Sequence, residues 1–132
     1  MRKITNLLIK EFKINELGFD FMGYSLQHHD KYTYHHLIIP ARKGGPDTTW
    51  NGAVLCGKTA HEYLHRIEGV DLDIFNLITS EMVDMKIKGF LDAKNLRKIN
   101  DLLTNFEKEY DWLMTKKGKP LIKLDYLRRN KF

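Results

Sequence analysis

Apolar spacing divides the chain into segments of different period. Residues 3–17 carry apolar side chains at Ile4, Leu7, Leu8, Ile9, Phe12, Ile14 and Leu17. That spacing fits one amphipathic helix, with a strand as the alternative for "NLLIKEFKI". Gly18 then interrupts it. "FDFMGYSLQ" alternates loosely and predicts a strand. "KYTYHHLII" is rich in β-branched and aromatic residues and predicts another. Pro40 ends it, because proline neither donates to a ladder nor extends one. "ARKGGPDTTWNG" holds a dense cluster of turn residues and predicts a loop, and "GAVLC" predicts a second short strand. Thr59 with Glu62 three residues later has the capping-box pattern, so a helix is predicted over about residues 60–68, stopped by Gly69.

Beyond Gly69 the period is helical. One stripe runs through Leu72, Phe75, Ile78, Met82 and Met85, and a second through Leu96, Ile99, Leu103, Phe106, Tyr110 and Leu113. Both stripes are expected to pack as core. Gly118 and Pro120 are expected to break the second helix. The pattern predicts an α+β fold in one compact domain. An N-terminal helix or strand element spans 1–30, a strand–loop–strand–helix unit spans 31–69, and a helical extension with a basic tail spans 70–132.

Composition adds limits. The 132 residues are 42% hydrophobic, enough for a core. The one cysteine, Cys56, excludes an internal disulfide and a four-cysteine zinc site, and fits a reducing, cytoplasmic setting. The apolar run in "MRKITNLLIKEFKI" is too short and too interrupted for a signal peptide or a membrane span. Net charge is +5. From Lys116 onward seven basic residues face one acidic residue, a net of +6, which leaves fifteen basic and sixteen acidic residues in the rest. A basic tail of this kind attracts polyanions, and otherwise serves as a solvated face. Lys116, Lys117, Arg128 and Arg129 are its candidate nucleic-acid contacts.

Four of the six histidines fall in "HHDKYTYHH" as two pairs, His28-His29 and His35-His36. The other two, His61 and His65, are four residues apart on the predicted helix. Such a pair shares one face, separated by roughly 6 Å of rise, and can hold one ion. Exposed histidines are the ordinary explanation of that spacing. On a strand, neighbours point to opposite faces, so His35 and His36 divide their roles. One can hold a cation while the other stays free to take a proton from water. His28 and His29 read as surface residues before a turn.

"HHLIIPARKGG", "WNGAVLC" and "HEYLH" together resemble the HNH nucleases, also called His-Me finger or ββα-metal nucleases. The matching residues are His35, His36, Leu37, Pro40, Gly44, Gly45, Asn51, Leu55 and His61, with His65 one turn later. The resemblance covers about residues 32–68 and rests on the joint order of these types. It implies a ββα-metal core and DNA, double-stranded, as the partner. It also implies one divalent ion (Mg²⁺, Mn²⁺, Ni²⁺ or Zn²⁺) held by His35, His61 and His65, with His36 as general base. Asn51 matches the central Asn, which in relatives either fixes the loop and orients the base or binds the metal; the first is preferred here. Arg42, Lys43 and Lys58 flank these positions and are candidate phosphate contacts. Glu62 and Arg66 are candidate partners for the metal ligands, while Tyr34 and Trp50 are expected to pack. The chain departs from many members in lacking Cys-x-x-Cys pairs, so no structural zinc is expected.

Two other readings compete. The scaffold of a phage or mobile-element protein could bind nucleic acid or protein for regulation without cleaving it. "HEYLH" also satisfies the zinc-protease signature, with Glu62 as base. That reading needs a third ligand downstream, where only a carboxylate such as Glu81 or Asp84 is available, and it leaves the His-His and Gly-Gly elements unexplained.

Overall fold

The structure is a computed structural model, and it describes residues 2–110. The fold is α+β. Among the described residues there are five α-helices and one two-stranded antiparallel sheet. The helices are α1 (Lys3–Glu11), α2 (Ile14–Leu17), α3 (Glu62–Val70), α4 (Leu72–Lys88) and α5 (Ala93–Glu109). The strands are β1 (Tyr32–His36) and β2 (Gly52–Cys56), paired from Tyr32 with Cys56 to His36 with Gly52. Between them lies a loop with a short 3₁₀ turn at Ala41–Lys43. No helix among the described residues is long and apolar enough to cross a membrane.

The predicted helix over 3–17 is two helices. Lys13 takes a left-handed conformation, φ 55°, and breaks the run. A continuous helix would set Phe12 and Ile14 about 200° apart, so only one could face the core. With the break, both are buried, and the Phe12 ring packs on Phe21 with centroids 4.8 Å apart.

The strand expected in "FDFMGYSLQ" is a turn instead. The buried Asp20 carboxylate accepts hydrogen bonds from the amides of Met22 and Tyr24, both at 2.9 Å, and from that of Cys56 at 2.8 Å. A side chain has taken donors that a ladder would have used. Burial pushes the Asp20 carboxyl up to about 6, against the pull of those three amides. The contact also ties the N-terminal part to the end of β2.

β1 stops at His36, not at Ile39 as the sequence suggests. Asn51 supplies the reason. Its backbone carbonyl accepts from the Leu37 amide at 2.7 Å, and its Oδ1 accepts from Ile38 and Ile39. The chain leaves the ladder because one amide side chain stands in for the partner strand.

The third helix also differs from expectation. β2 runs into a π-helical turn at Gly57–His61, and α3 follows from Glu62. Thr59 does not cap it: its hydroxyl donates to Asp30 at 3.2 Å, and Glu62 is exposed. Gly69 lies inside α3, which runs on to Val70. Asp71 then caps α4 by accepting from the Ile74 amide.

α4 and α5 form a hairpin through Gly89, whose φ of 86° suits a helix end, and Asp92 caps α5. Ile78, Met82 and Met85 meet Leu96, Ile99, Leu103 and Phe106 in the core. Asn95 clips the pair, donating to Glu81 and Asp84 at 2.9 Å each. Leu72 departs from the predicted stripe and is exposed, while Phe75 and Tyr110 are half-buried against the core. Leu113, the Gly118–Pro120 break and the basic tail lie outside the described residues. All five helices, the sheet and the Asp20 turn contribute to, or pack against, one buried cluster.

Candidate metal centre

The sheet and the start of α3 bring three of the six histidines together. His35, buried at 4% exposure, points from β1 toward His61 and His65. One ligand atom from each can be chosen so that all three lie within 4.8 Å of one another. His28 and His29 stand apart, exposed and with rings 3.9 Å apart, as the sequence suggests.

Hydrogen bonds point to the nitrogen that His61 and His65 present. The Thr33 hydroxyl gives its one proton to the Leu55 carbonyl at 2.9 Å. It must therefore accept from His61 Nδ1, 2.8 Å away, which leaves a lone pair on His61 Nε2. That atom lies 3.3 Å from His35 Nδ1. Two imidazole nitrogens on one ion, each at about 2.1 Å and subtending 90–109°, lie about 3.0–3.4 Å apart. The spacing fits an ion. Glu68 Oε1 lies 3.2 Å from His65 Nδ1, so Nε2 is the His65 nitrogen left for a ligand role. The same carboxylate meets Arg42 at 3.7 Å.

Electrostatics match. Burial, and then the neighbouring imidazoles, hold His35 down to about 3. The same causes hold His61 down to about 4. Both rings are neutral at pH 7, the form that binds a cation.

His36 lines the same cleft but not the triad. Its Nε2 lies 2.7 Å from Asp47 Oδ1, and its ring meets the edge of Tyr34. The two neighbours point apart: His35 faces His61 and His65, and His36 lies toward Asp47 at the rim. The cleft, about 720 Å³, runs between the Leu37–Lys43 segment and the start of α4. Arg42 and Lys43 line it beside the histidines, as do Leu72, Phe75 and Asn76 from α4. Lys58 does not; it lines a separate hollow with His29, Asp30 and Lys31.

Asn51 is fully buried, and both ends of its amide are engaged. Oδ1 accepts from Ile38 (3.1 Å) and Ile39 (2.7 Å), and Nδ2 donates to the Ile39 and Pro46 carbonyls at 3.0 Å. It clamps the loop, and its Oδ1 is already engaged by two amides. Gly45 permits this close fold, since a Cβ there would lie 1.9 Å from the Ile39 carbonyl oxygen.

Three residues at the site had no assigned part from sequence: Thr33, Glu68 and Asp47. Thr33 lies two before His35 on the strand, and Glu68 three after His65 on the helix, so both share a face with a ligand. Glu62 and Arg66, expected in that part, are exposed. Glu81 and Asp84 hold Asn95, and the third residue beside His61 and His65 is His35. Trp50, expected to pack, is half-exposed, while Tyr34 is buried. The basic-tail candidates Lys116, Lys117, Arg128 and Arg129 lie outside the described residues. No protein-family model, curated protein or solved structure matches the chain.

Proposed function

We propose that this protein is a metal-dependent endonuclease of the HNH type, with a ββα-metal core, that hydrolyses DNA phosphodiester bonds. One observation carries the reading. Three imidazoles at ion-binding spacing share a cleft with a fourth, His36, that is not one of them. A closed structural site takes four protein ligands, whereas three leave a position open for water or substrate; hydrolysis also needs a base, and His36 is at hand for it.

His35 Nδ1, His61 Nε2 and His65 Nε2 would hold the ion. When bound, a divalent cation offsets the charge that builds on the phosphate and eases departure of the leaving oxygen. The chain supplies the rest. His36 takes the proton of the attacking water, a task suited to an imidazole near neutral pH. Asn51 fixes the loop that carries the far wall of the cleft, so that His36 keeps its place without rearrangement. Arg42 and Lys43 are exposed on that wall and suit the phosphates flanking the cut. The nuclease reading is favoured over the His-Glu-x-x-His protease reading because Glu62 is exposed and the third histidine beside His61 and His65 lies upstream on β1.

The test is a paired digestion. Supercoiled plasmid and an unfolded protein are incubated side by side with Mg²⁺, Mn²⁺, Ni²⁺ or Zn²⁺. Nicked or linear DNA with intact protein is expected. Cleaved protein with intact plasmid would reverse the assignment. Intact DNA with tight, salt-sensitive binding would leave a binding module on this scaffold.

A further inference from the structure

Asp47 belongs to no motif, yet it meets His36, the cleft imidazole that lies outside the triad. Each of its oxygens has a different partner. Oδ1 lies 2.7 Å from His36 Nε2, and Oδ2 takes the Arg2 guanidinium, 45 residues away in sequence. The hydrogen bond with His36, helped by Arg2, holds the Asp47 carboxyl below the usual carboxylate range. An ionised carboxylate only accepts, so the proton between the two must sit on His36 Nε2. In the neutral ring the lone pair then resides on Nδ1.

The support around Asp47 is ordered from both sides. The Tyr34 hydroxyl donates to the Thr48 carbonyl at 2.7 Å, with the Pro46 carbonyl at 3.2 Å, and it lies 3.2 Å from the Thr48 amide. One phenol thus holds the residues before and after Asp47. Tyr34 stands two residues before His36 on β1, and its ring braces the His36 ring edge-on at 4.9 Å. Arg2 lies over the other part of the arrangement, 5.0 Å from the Tyr34 ring centroid. Loop, strand and the start of α1 converge on a single carboxylate–imidazole contact.

We propose that Asp47 is the positioning residue of His36: it fixes the Nε2-protonated tautomer and so makes Nδ1 the atom that accepts the water proton. The catalytic half of this rests on the nuclease reading; the tautomer half does not. Arg2 and Tyr34 act through Asp47, one by charge and one by holding its loop. The logic is that of any base oriented by a buried or paired acid, here built on a surface loop.

Two readouts on the metal-free and metal-loaded protein test it. At pH 8, long-range ¹H–¹⁵N spectra of the metal-free protein report which His36 nitrogen carries the proton. Wild type should show protonated Nε2, and Asp47→Ala a mixture of tautomers. Asp47→Asn, whose amide oxygen can still accept, should stay nearer wild type. Steady-state cleavage of a phosphodiester should show kcat lower by about ten- to a hundredfold in Asp47→Ala, with KM and zinc affinity within twofold of wild type. Tyr34→Phe should shift both readouts in the same direction by less. A wild-type His36 protonated on Nδ1, an Asp47→Ala spectrum like wild type, or an Asp47→Ala kcat like wild type would each overturn the proposal. If wild type cleaves no phosphodiester at all, the nuclease reading fails, and the spectra still decide whether Asp47 sets the tautomer.

Discussion

Thr33 shows how a single hydroxyl can decide which nitrogen a candidate metal ligand presents. It spends its proton on the Leu55 carbonyl and so forces His61 to present Nε2. Thr33→Val keeps the shape and removes the acceptor. Zinc affinity measured by titration calorimetry should fall about ten- to a hundredfold, and Thr33→Ser should restore it. The same residues set a pH response. His35 and His61 are held neutral in the fold but charge near 6.5 in the unfolded chain. Their contribution is present above about 6.5 and is lost as pH falls toward 4. Asp20 opposes this, because its raised carboxyl takes up a proton in the fold already near pH 6. Near pH 5 the unfolded chain gains two protons on histidine and the native state gains one on Asp20. The net is one proton, or about 1.4 kcal/mol per pH unit. Urea unfolding of the metal-free protein should show stability decreasing between pH 6.5 and 5. Stability that is flat or rises on acidification would contradict the burial of these rings. The histidines were legible as candidates from types and spacing. Thr33 and Glu68 were not, because polar residues on a shared face are common and only three-dimensional pairing selects two of them.

At the scale of elements, side chains replace backbone at two points, and there the sequence pattern misleads. Asp20 gathers three amides and cancels a strand; Asn51 gathers two and shortens another. Apolar alternation records burial, not which group satisfies a backbone donor, so both segments look like strands. The helix break at Lys13 is hidden for a similar reason: lysine rarely adopts positive φ, and only the joint burial of Phe12 and Ile14 demands it. The helices α4 and α5 were legible from their long periodic stripes as far as the described residues go, apart from Leu72, which is exposed. Asn51 makes the element scale testable. Asn51→Ala strands buried backbone groups on both sides of the loop and should cost about 3 kcal/mol in denaturant unfolding. Asn51→Asp keeps the acceptor but aims an oxygen at the Ile39 and Pro46 carbonyls, so it should destabilise comparably. Zinc affinity of the folded fraction should be unchanged in both, as expected of a clamp and not a ligand.

The whole molecule is organised around one cleft. The sheet and the start of α3 place the imidazoles, α1 sends Arg2 to the rim through Asp47, and α4 forms the facing wall. Asn95 and the shared core keep α4 on α5, and Lys86 ties α4 to the Thr49 carbonyl and the Phe12 ring. The central claim is that the triad and His36 do different work in this cleft. His36→Ala separates them. Plasmid cleavage with Mg²⁺ or Mn²⁺ is measured alongside zinc affinity and thermal unfolding. The account predicts that cleavage falls at least about a hundredfold, while affinity and unfolding temperature stay at wild-type values. Plasmid cleavage by His36→Ala at the wild-type rate would contradict it.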